Sequence, residues 1–261
     1  MDYTVISVEH KDGVDVITLN RPDCLNAINN ALKAELMNAI CRANLPDSNT
    51  RCILITGAGR GFSSGADLSA SIVSEGSDPG TTLLTTYNPL ITEMARSKVP
   101  IVCAINGIAA GAGMSIALAG DIVIAGKSAI FLQAFVNIGL VPDAGSSYFL
   151  PRLIGTAKAN AMMMLGEKID AQTAEDWGLV YKTVEDSELM TEAMNIATKF
   201  ASGPSVAYNS IRRLIRESQT NSLTEQMSLE AESQRKCSQS EDFLEGVTAF
   251  VQKRDANFKG K

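Results

Sequence analysis

Histidine is almost absent: the 261 residues include one, His10. Metal centres and most general-base schemes use that side chain, so acid–base work in this chain falls to carboxylates. His10 lies on the first expected hairpin and reads as an exposed strand residue. Cysteine is present without a pattern. Cys24, Cys41, Cys52, Cys103 and Cys237 are odd in number, widely spaced and form no C-x-x-C pair. They argue for free thiols in a reducing compartment, against disulfides or a metal site. Positive charge is also short, with 23 Lys and Arg against 29 Asp and Glu, a net −6 and a pI near 5.0. Nucleic-acid affinity rests on neutralising phosphates, so no nucleic-acid partner is expected; a local basic cluster can still hold a phosphate-bearing small molecule. The opening Met-Asp-Tyr-Thr-Val lacks the basic region and apolar core of a signal peptide. From Pro100 to Lys127 the chain is nearly charge-free, but Asn106, Ser115 and Asp121 interrupt it. Two buried strands flanking a helix fit that stretch better than a bilayer span. The expectation is a cytoplasmic protein with no membrane partner.

What is present suits a globular chain: 45% hydrophobic residues and 20% charged ones, enough to bury a full core. Val5–Glu9 and Val14–Asn20 alternate well enough to form a hairpin around Lys11-Asp-Gly13. Helical spacing of Leu32, Leu36 and Ile40 predicts a helix over Asn29–Ala43. Strands are expected at Arg51–Thr56, Ile101–Ile105, Asp121–Ala125 and Ala129–Leu132, and a further short one opening at Gly178-Leu-Val180. Ser69–Thr82 reads as a loop, followed by a helix within Leu83–Ser97 started or kinked at Pro89. A small-residue helix should run to Ala119, with further helices at Thr156–Leu165 and Ala171–Trp177. After Glu185 the pattern is almost wholly helical, ending in a basic tail from Lys253 to Lys261. Alternating strands and helices predict an α/β fold with mostly parallel pairing.

Two turns stand out because they are built from glycine, alanine and serine. They are Thr56-Gly-Ala-Gly-Arg-Gly-Phe-Ser-Ser-Gly-Ala-Asp67 and Asn106-Gly-Ile-Ala-Ala-Gly-Ala-Gly-Met-Ser115, each following a β-branched apolar run. Small residues let a ligand approach the main chain, and amides at a helix start point outward as donors. Two such turns, converging, can hold one developing negative charge between two backbone N–H groups. Competing motifs fare worse. Gly57-Ala-Gly-Arg-Gly61 would need glycine at Phe62 for a dinucleotide loop, and no G-K-[ST] follows for a P-loop. Gly61-Phe-Ser-Ser-Gly65 fits G-x-S-x-G, but no histidine lies downstream of Ser63 to complete a triad.

Three carboxylates invite a reading as the base. Asp67 follows the first turn, where it can cap a helix. Asp121 precedes an apolar strand and reads as a turn or ion-pair residue. Asp143 lies in Gly139-Leu-Val-Pro-Asp-Ala-Gly145, an apolar loop in which desolvation raises a carboxyl pKa and makes a better base. Its alternative is an N-cap for a helix through Ser147.

Asn20-Arg-Pro-Asp-Cys-Leu-Asn-Ala27, Ile55–Asp67, Ala104–Gly113 and Gly139–Gly145 together resemble the crotonase (enoyl-CoA hydratase/isomerase) superfamily, in order and over essentially the whole chain. Tyr87-Asn-Pro, Val141-Pro-Asp143 and the closing Phe258-Lys-Gly-Lys261 look most like its ring-1,2-epoxyphenylacetyl-CoA isomerase branch, of bacterial phenylacetate degradation. The resemblance implies a crotonase-like spiral of β-β-α units over 1–198, and a helical C-terminal oligomerisation region over 199–261 that builds homotrimers or homohexamers. It implies an acyl-CoA thioester as substrate, with coenzyme A part of that substrate and no separate cofactor or metal. By motif position the amides of Ala66 and Ala112 would form the oxyanion hole and Asp143 would be the acid/base. CoA and the acyl group would meet Cys24, Leu25, Ala27, Ser64, Asp67, Leu68, Gly111, Phe135 and Lys253. Arg60 and Lys259 are candidate phosphate contacts; Phe131 and Tyr148 are candidate pocket walls or ordinary core aromatics. The family's hydratases carry two glutamates that activate water, and this chain has Ser115 and Phe135 at those places. The implied activity is therefore isomerisation of an acyl-CoA, by a double-bond shift or conversion of a ring epoxide. Hydration of an enoyl-CoA and non-catalytic acyl-CoA binding are the alternatives.

Overall fold

The computed structural model describes residues 3–68 and 78–261. β1 (Ile6–Lys11) and β2 (Val14–Leu19) pair antiparallel, with Asp12 and Gly13 both at positive φ in the turn, the conformation a two-residue hairpin needs. β3 (Cys52–Gly57) then lies parallel to β2. It is followed by β4 (Gly61–Ser63), β5 (Ile101–Ile105), β6 (Ile108–Ala110), β7 (Ile122–Gly126) and β8 (Ile130–Leu132). Last come β9 (Lys168–Asp170) and β10 (Lys182–Val184). The strands sort into two sheets, one ordered β1-β2-β3-β5-β7-β10 and the other β4-β6-β8-β9. From β3 to β8 each turn of the chain thus places one strand in the large sheet and the next in the small one before a helix returns it. This is the expected β-β-α spiral.

The glycine-rich turns differ from expectation in one respect: each contains a three-residue strand, β4 or β6, before any helix begins. Three residues are too few to show an alternating pattern. A Cβ on Gly107 would stand 2.3 Å from the Arg60 carbonyl oxygen, so only glycine allows the two turns to press together there. The expected strand at Gly178–Val180 begins later, at β10. Of the expected loop Ser69–Thr82, residues 69–77 lie outside the described residues. Pro79–Thr82 is helical (α2), with Asp78 accepting from Gly80 N and Thr81 N as its cap.

α1 (Asn30–Ala43) starts where the Asn29 side chain accepts from Leu32 N. After α2, a π-helical stretch (Leu83–Tyr87) continues into α3 (Asn88–Arg96). α4 is the small-residue helix Ala112–Leu118. α5 (Ser146–Leu165) begins earlier than its helical spacing announced, because Pro151 and a kink at Gly155 (φ 76°) mask its first half. α6 (Ala171–Asp176) precedes β10, and α7 (Leu189–Ala201), α8 (Ser205–Glu217), α9 (Leu223–Ser238) and α10 (Glu241–Gln252) finish the chain.

Alternate residues of the central strands face two different cores. Ile53, Ile55, Ile101, Cys103 and Ile105 pack with Leu32, Leu36 and Ile40 of α1 and with Leu90 and Met94 of α3. Cys52, Leu54, Val102 and Ala104 pack on the other side with Leu189, Ala193, Ala197 and Ala201, a single stripe of α7. Both faces are covered, which is why these strands read as unbroken apolar runs. All five cysteines are free thiols, and no helix among the described residues is long and apolar enough to cross a membrane.

Arg212 clamps α8 to the end of α3 and the start of β5 and β7. The half-hidden Asp121, expected as an ion-pair residue, receives both the Ile101 N–H at 2.7 Å and Arg212 Nε at 2.7 Å. The Arg212 guanidinium also donates to the carbonyls of Ser97 and, at 3.1 Å, Met94. Arg212→Leu is expected to cost about 3 kcal/mol, the low end for breaking a buried pair because Asp121 keeps some water. A urea titration comparing the two proteins measures it; an unchanged midpoint would show that the clamp adds nothing.

Candidate active site

The segment around Cys24–Ile28 runs beside the end of the first glycine-rich turn. Ser64 N donates to Leu25 O at 2.8 Å, and Ser64 Oγ to Cys24 O at 3.2 Å. Ile28 N donates to Gly65 O at 2.8 Å, and Asp67 N to Ile28 O at 3.0 Å. Cys24, Leu25, Ala27, Ser64, Ala66 and Asp67 are therefore brought together on two adjacent segments. The last two bonds form a parallel bridge between Ile28 and Ala66. Such a bridge uses the groups on either side of Ala66, so the Ala66 N–H points away from it. Ser63 is fully buried, its hydroxyl given to Asn26 O at 2.9 Å. His10 is exposed and meets Asp15 at 2.6 Å, so no serine–histidine pair exists among the described residues.

The two turns meet at Gly65. A Cβ there would stand 2.9 Å from Ala110 O and 3.7 Å from Ala112 N, and its φ of +95° suits glycine alone. Ala112 is the first residue of α4, so its N–H has no acceptor within the helix. Gly111 before it donates its own N–H to Leu132 O at 2.9 Å. A Cβ on Gly111 would lie 3.6 Å from the Phe135 ring, which places Phe135 against this turn. Among the described residues neither Ala66 N–H nor Ala112 N–H has an acceptor.

A cavity of about 230 Å³ opens beside Ala66. That volume suits the acyl end of a ligand and is too small for a whole CoA thioester. Asp143 lines it together with Ala66, Lys33, Tyr87, Leu68 and Leu140. The Asp143 main chain is pinned: its carbonyl accepts from Ser146 N at 3.0 Å, Ser146 Oγ at 2.8 Å and Ser115 Oγ at 3.0 Å. Ala144 next to it is buried at φ 48°, a strained conformation for a residue with a Cβ. Asp143 does not cap α5, whose N-cap is Gly145. Its Oδ1 is screened from solvent and has no hydrogen-bond partner among the described residues. Burial pushes the Asp143 carboxyl up to about 6, with nearby Lys33 pulling the other way. Asp67, also at the cavity, instead pairs with Arg21 at 2.8 Å.

Ser115 has an identifiable structural task, since its hydroxyl also reaches Gly111 O at 3.2 Å and so ties the second turn to the Asp143 loop. Phe131 is a fully buried core ring, while Tyr148 is largely exposed and stacks on Arg152. Lys253 closes α10 in a left-handed conformation and is not among the residues lining the cavity. Arg60 is exposed, and Lys259 borders a separate groove with Arg51, Lys98 and Lys236. No group of metal-ligating side chains occurs among the described residues. Lys33 belongs to no motif; its signal in the sequence is its place on the buried face of α1, three residues before Leu36 and seven before Ile40.

The sequence profile of the enoyl-CoA hydratase/isomerase family matches residues 9–261. The chain is 40% identical to the 1,2-epoxyphenylacetyl-CoA isomerase of Escherichia coli K12, over all of both chains. It is 42% identical, again over all of both, to a Rhodobacter capsulatus protein named a probable enoyl-CoA hydratase. The crystal structure of enoyl-CoA hydratase from Bacillus anthracis superposes with a TM-score of 0.93 at 32% identity, covering 99% of this chain and all of that one.

Proposed function

The chain belongs to the enoyl-CoA hydratase/isomerase family, and from that premise we propose that it isomerises an acyl-CoA thioester with Asp143 as its single acid/base group. In this reading Asp143 removes a proton from the carbon next to the thioester carbonyl. The Ala66 and Ala112 amides take the negative charge that develops on the thioester oxygen. The protonated Asp143 then returns its proton further along the dienolate, so the double bond moves and nothing is gained or lost. The observation that carries the proposal is one partly buried carboxyl, raised to about 6, lining the same cavity as Ala66. A base whose pKa lies just below neutrality is ionised in the cell and still a competent proton carrier.

The hydratase alternative asks for a second carboxylate to activate water. At the two positions in question stand Ser115, whose hydroxyl is committed to two carbonyls, and Phe135, a phenyl ring. The proposal covers two acyl groups, a ring-epoxide acyl-CoA and a linear 3-enoyl-CoA. Coenzyme A enters as part of the substrate, with Cys24, Leu25, Ala27, Ser64 and Leu68 as its nearest contacts and Lys253 reaching it only from another copy. The helical region 199–261 is read as the trimerisation region. It leaves Leu223, Leu244, Phe250 and Val251 between 69% and 84% exposed, more apolar surface than a lone subunit usually shows.

The test is two assays on one preparation: the 3-enoyl-CoA to 2-enoyl-CoA shift, and hydration of crotonyl-CoA. Isomerisation is expected to exceed hydration by at least about a hundredfold, the smallest loss typical when an acid–base group is missing. Hydration at a comparable rate would overturn the isomerase reading in favour of the hydratase.

A further inference from the structure

A lysine rarely lies inside a protein unless something compensates its charge. Lys33 is 5% exposed on the inner face of α1. Its ammonium sits 4.4 Å from the centroid of the Tyr87 ring, and it borders the cavity that Asp143 borders. Among the described residues no acceptor takes a hydrogen bond from it, so the ring face and the Asp143 charge are what offset its burial. Asp143 is in the converse position, a carboxyl with a screened, unpartnered oxygen.

We infer that Lys33 is the counter-charge that holds Asp143 ionised in the cavity, a positioning residue acting through the base rather than a packing residue of α1. The inference rests on Asp143 being the base only for its effect on turnover; its effect on the carboxyl itself stands apart. The other groups facing Asp143 cannot replace Lys33. Tyr87, on the π-helical stretch, is buried and its phenol is pushed up, so it stays neutral. Asp67, beyond the first turn, carries like charge and is engaged by Arg21. The loop carrying Asp143 adds no cation, for Gly139 to Gly145 contains none. Two opposite charges in a cavity of low polarity interact far more strongly than on a surface, so loss of one is felt by the other.

The experiment compares wild type with Lys33→Met and Lys33→Arg. Each is titrated twice: by the acid limb of kcat/KM, and by the carbon-13 signal of the Asp143 carboxyl, identified by its loss in Asp143→Asn. In Lys33→Met both midpoints are expected to move up by about one pH unit, so turnover falls about tenfold at pH 5 and much less at pH 9. Lys33→Arg, which keeps the charge, should titrate like wild type. If the Met variant does not fold, Lys33→Gln takes its place. An unmoved carboxyl midpoint in the neutral variant would overturn the inference, whether turnover falls or not. A midpoint that moves while Asp143→Asn keeps its turnover would leave the Lys33 pairing standing and overturn Asp143 as the base.

Discussion

Asp143→Asn is expected to lower isomerase turnover by about a thousandfold, in the middle of the range for losing a general base. The substitution keeps the shape of the side chain and removes only its ability to take up a proton. What fixes the residue is main chain: the carbonyl held by Ser146 and Ser115 is the same in either protein, so the loop should keep its path. CoA binding should be nearly unchanged, because the proposed CoA contacts lie on the Cys24–Ile28 segment and the first turn. The loss should therefore appear in kcat with little change in KM. A second consequence separates this from damage to the fold. A carboxyl whose folded pKa is raised from 3.8 to about 6 favours the folded state below that window and opposes it above. The wild type thus carries an unfavourable charge at pH 7.5 that the amide removes, and Asp143→Asn should melt no lower than wild type there. Turnover within about threefold of wild type would send the search to Asp67, the other carboxylate at the cavity.

That trade of stability for chemistry also explains what could be read without a structure. The inner strands β3, β5 and β7 of the large sheet were legible because they are buried on both faces. Runs such as Cys52–Ile55 and Ile101–Ile105 leave little else to be. Asp143 stood out because a carboxylate set among Leu140, Val141, Pro142 and Ala144 contradicts its surroundings, and the structure places it on the wall of the cavity. β4 and β6 were not legible. They are three residues long, too short for an alternation to show, and backbone pairing with the neighbouring turn holds them in place. The start of α5 was hidden by Pro151, which argues against a helix interior until the kink at Gly155 is seen. Lys33 was missed for a subtler reason. Its long stem suits the apolar face of α1 as well as any leucine, and only the partner across the cavity, more than a hundred residues away in sequence, reveals why its charge can stay. Contacts of that kind have no local signature.

The second large effect concerns an atom no side-chain scan touches. Ala112→Pro is expected to lower kcat by about 10²–10³-fold, the usual cost of removing one oxyanion-hole donor. Proline is poorly tolerated at most helical positions, but Ala112 is the first residue of α4, where proline is favoured because the missing N–H has no helical partner to lose. The restriction proline places on the preceding residue arises from that residue's Cβ and N–H and disfavours the α region; Gly111 has no Cβ and lies outside that region at φ 49°, ψ −127°. The fold should survive while the amide proposed to face the thioester oxygen disappears. Since that donor matters most once charge has moved onto the oxygen, kcat should fall far more than substrate binding weakens. Ala112→Ser is the control. It changes the side chain and keeps the N–H, so it should turn over within a few-fold of wild type. Full activity in the proline variant, folded by circular dichroism, would mean that the second turn supplies no donor and that Ala66 acts alone. A large loss in the serine variant would instead show that the methyl group is a steric wall of the site. A fall confined to the proline variant would tie the closeness of the two glycine-rich turns, read from Gly65, to the charge they are proposed to hold.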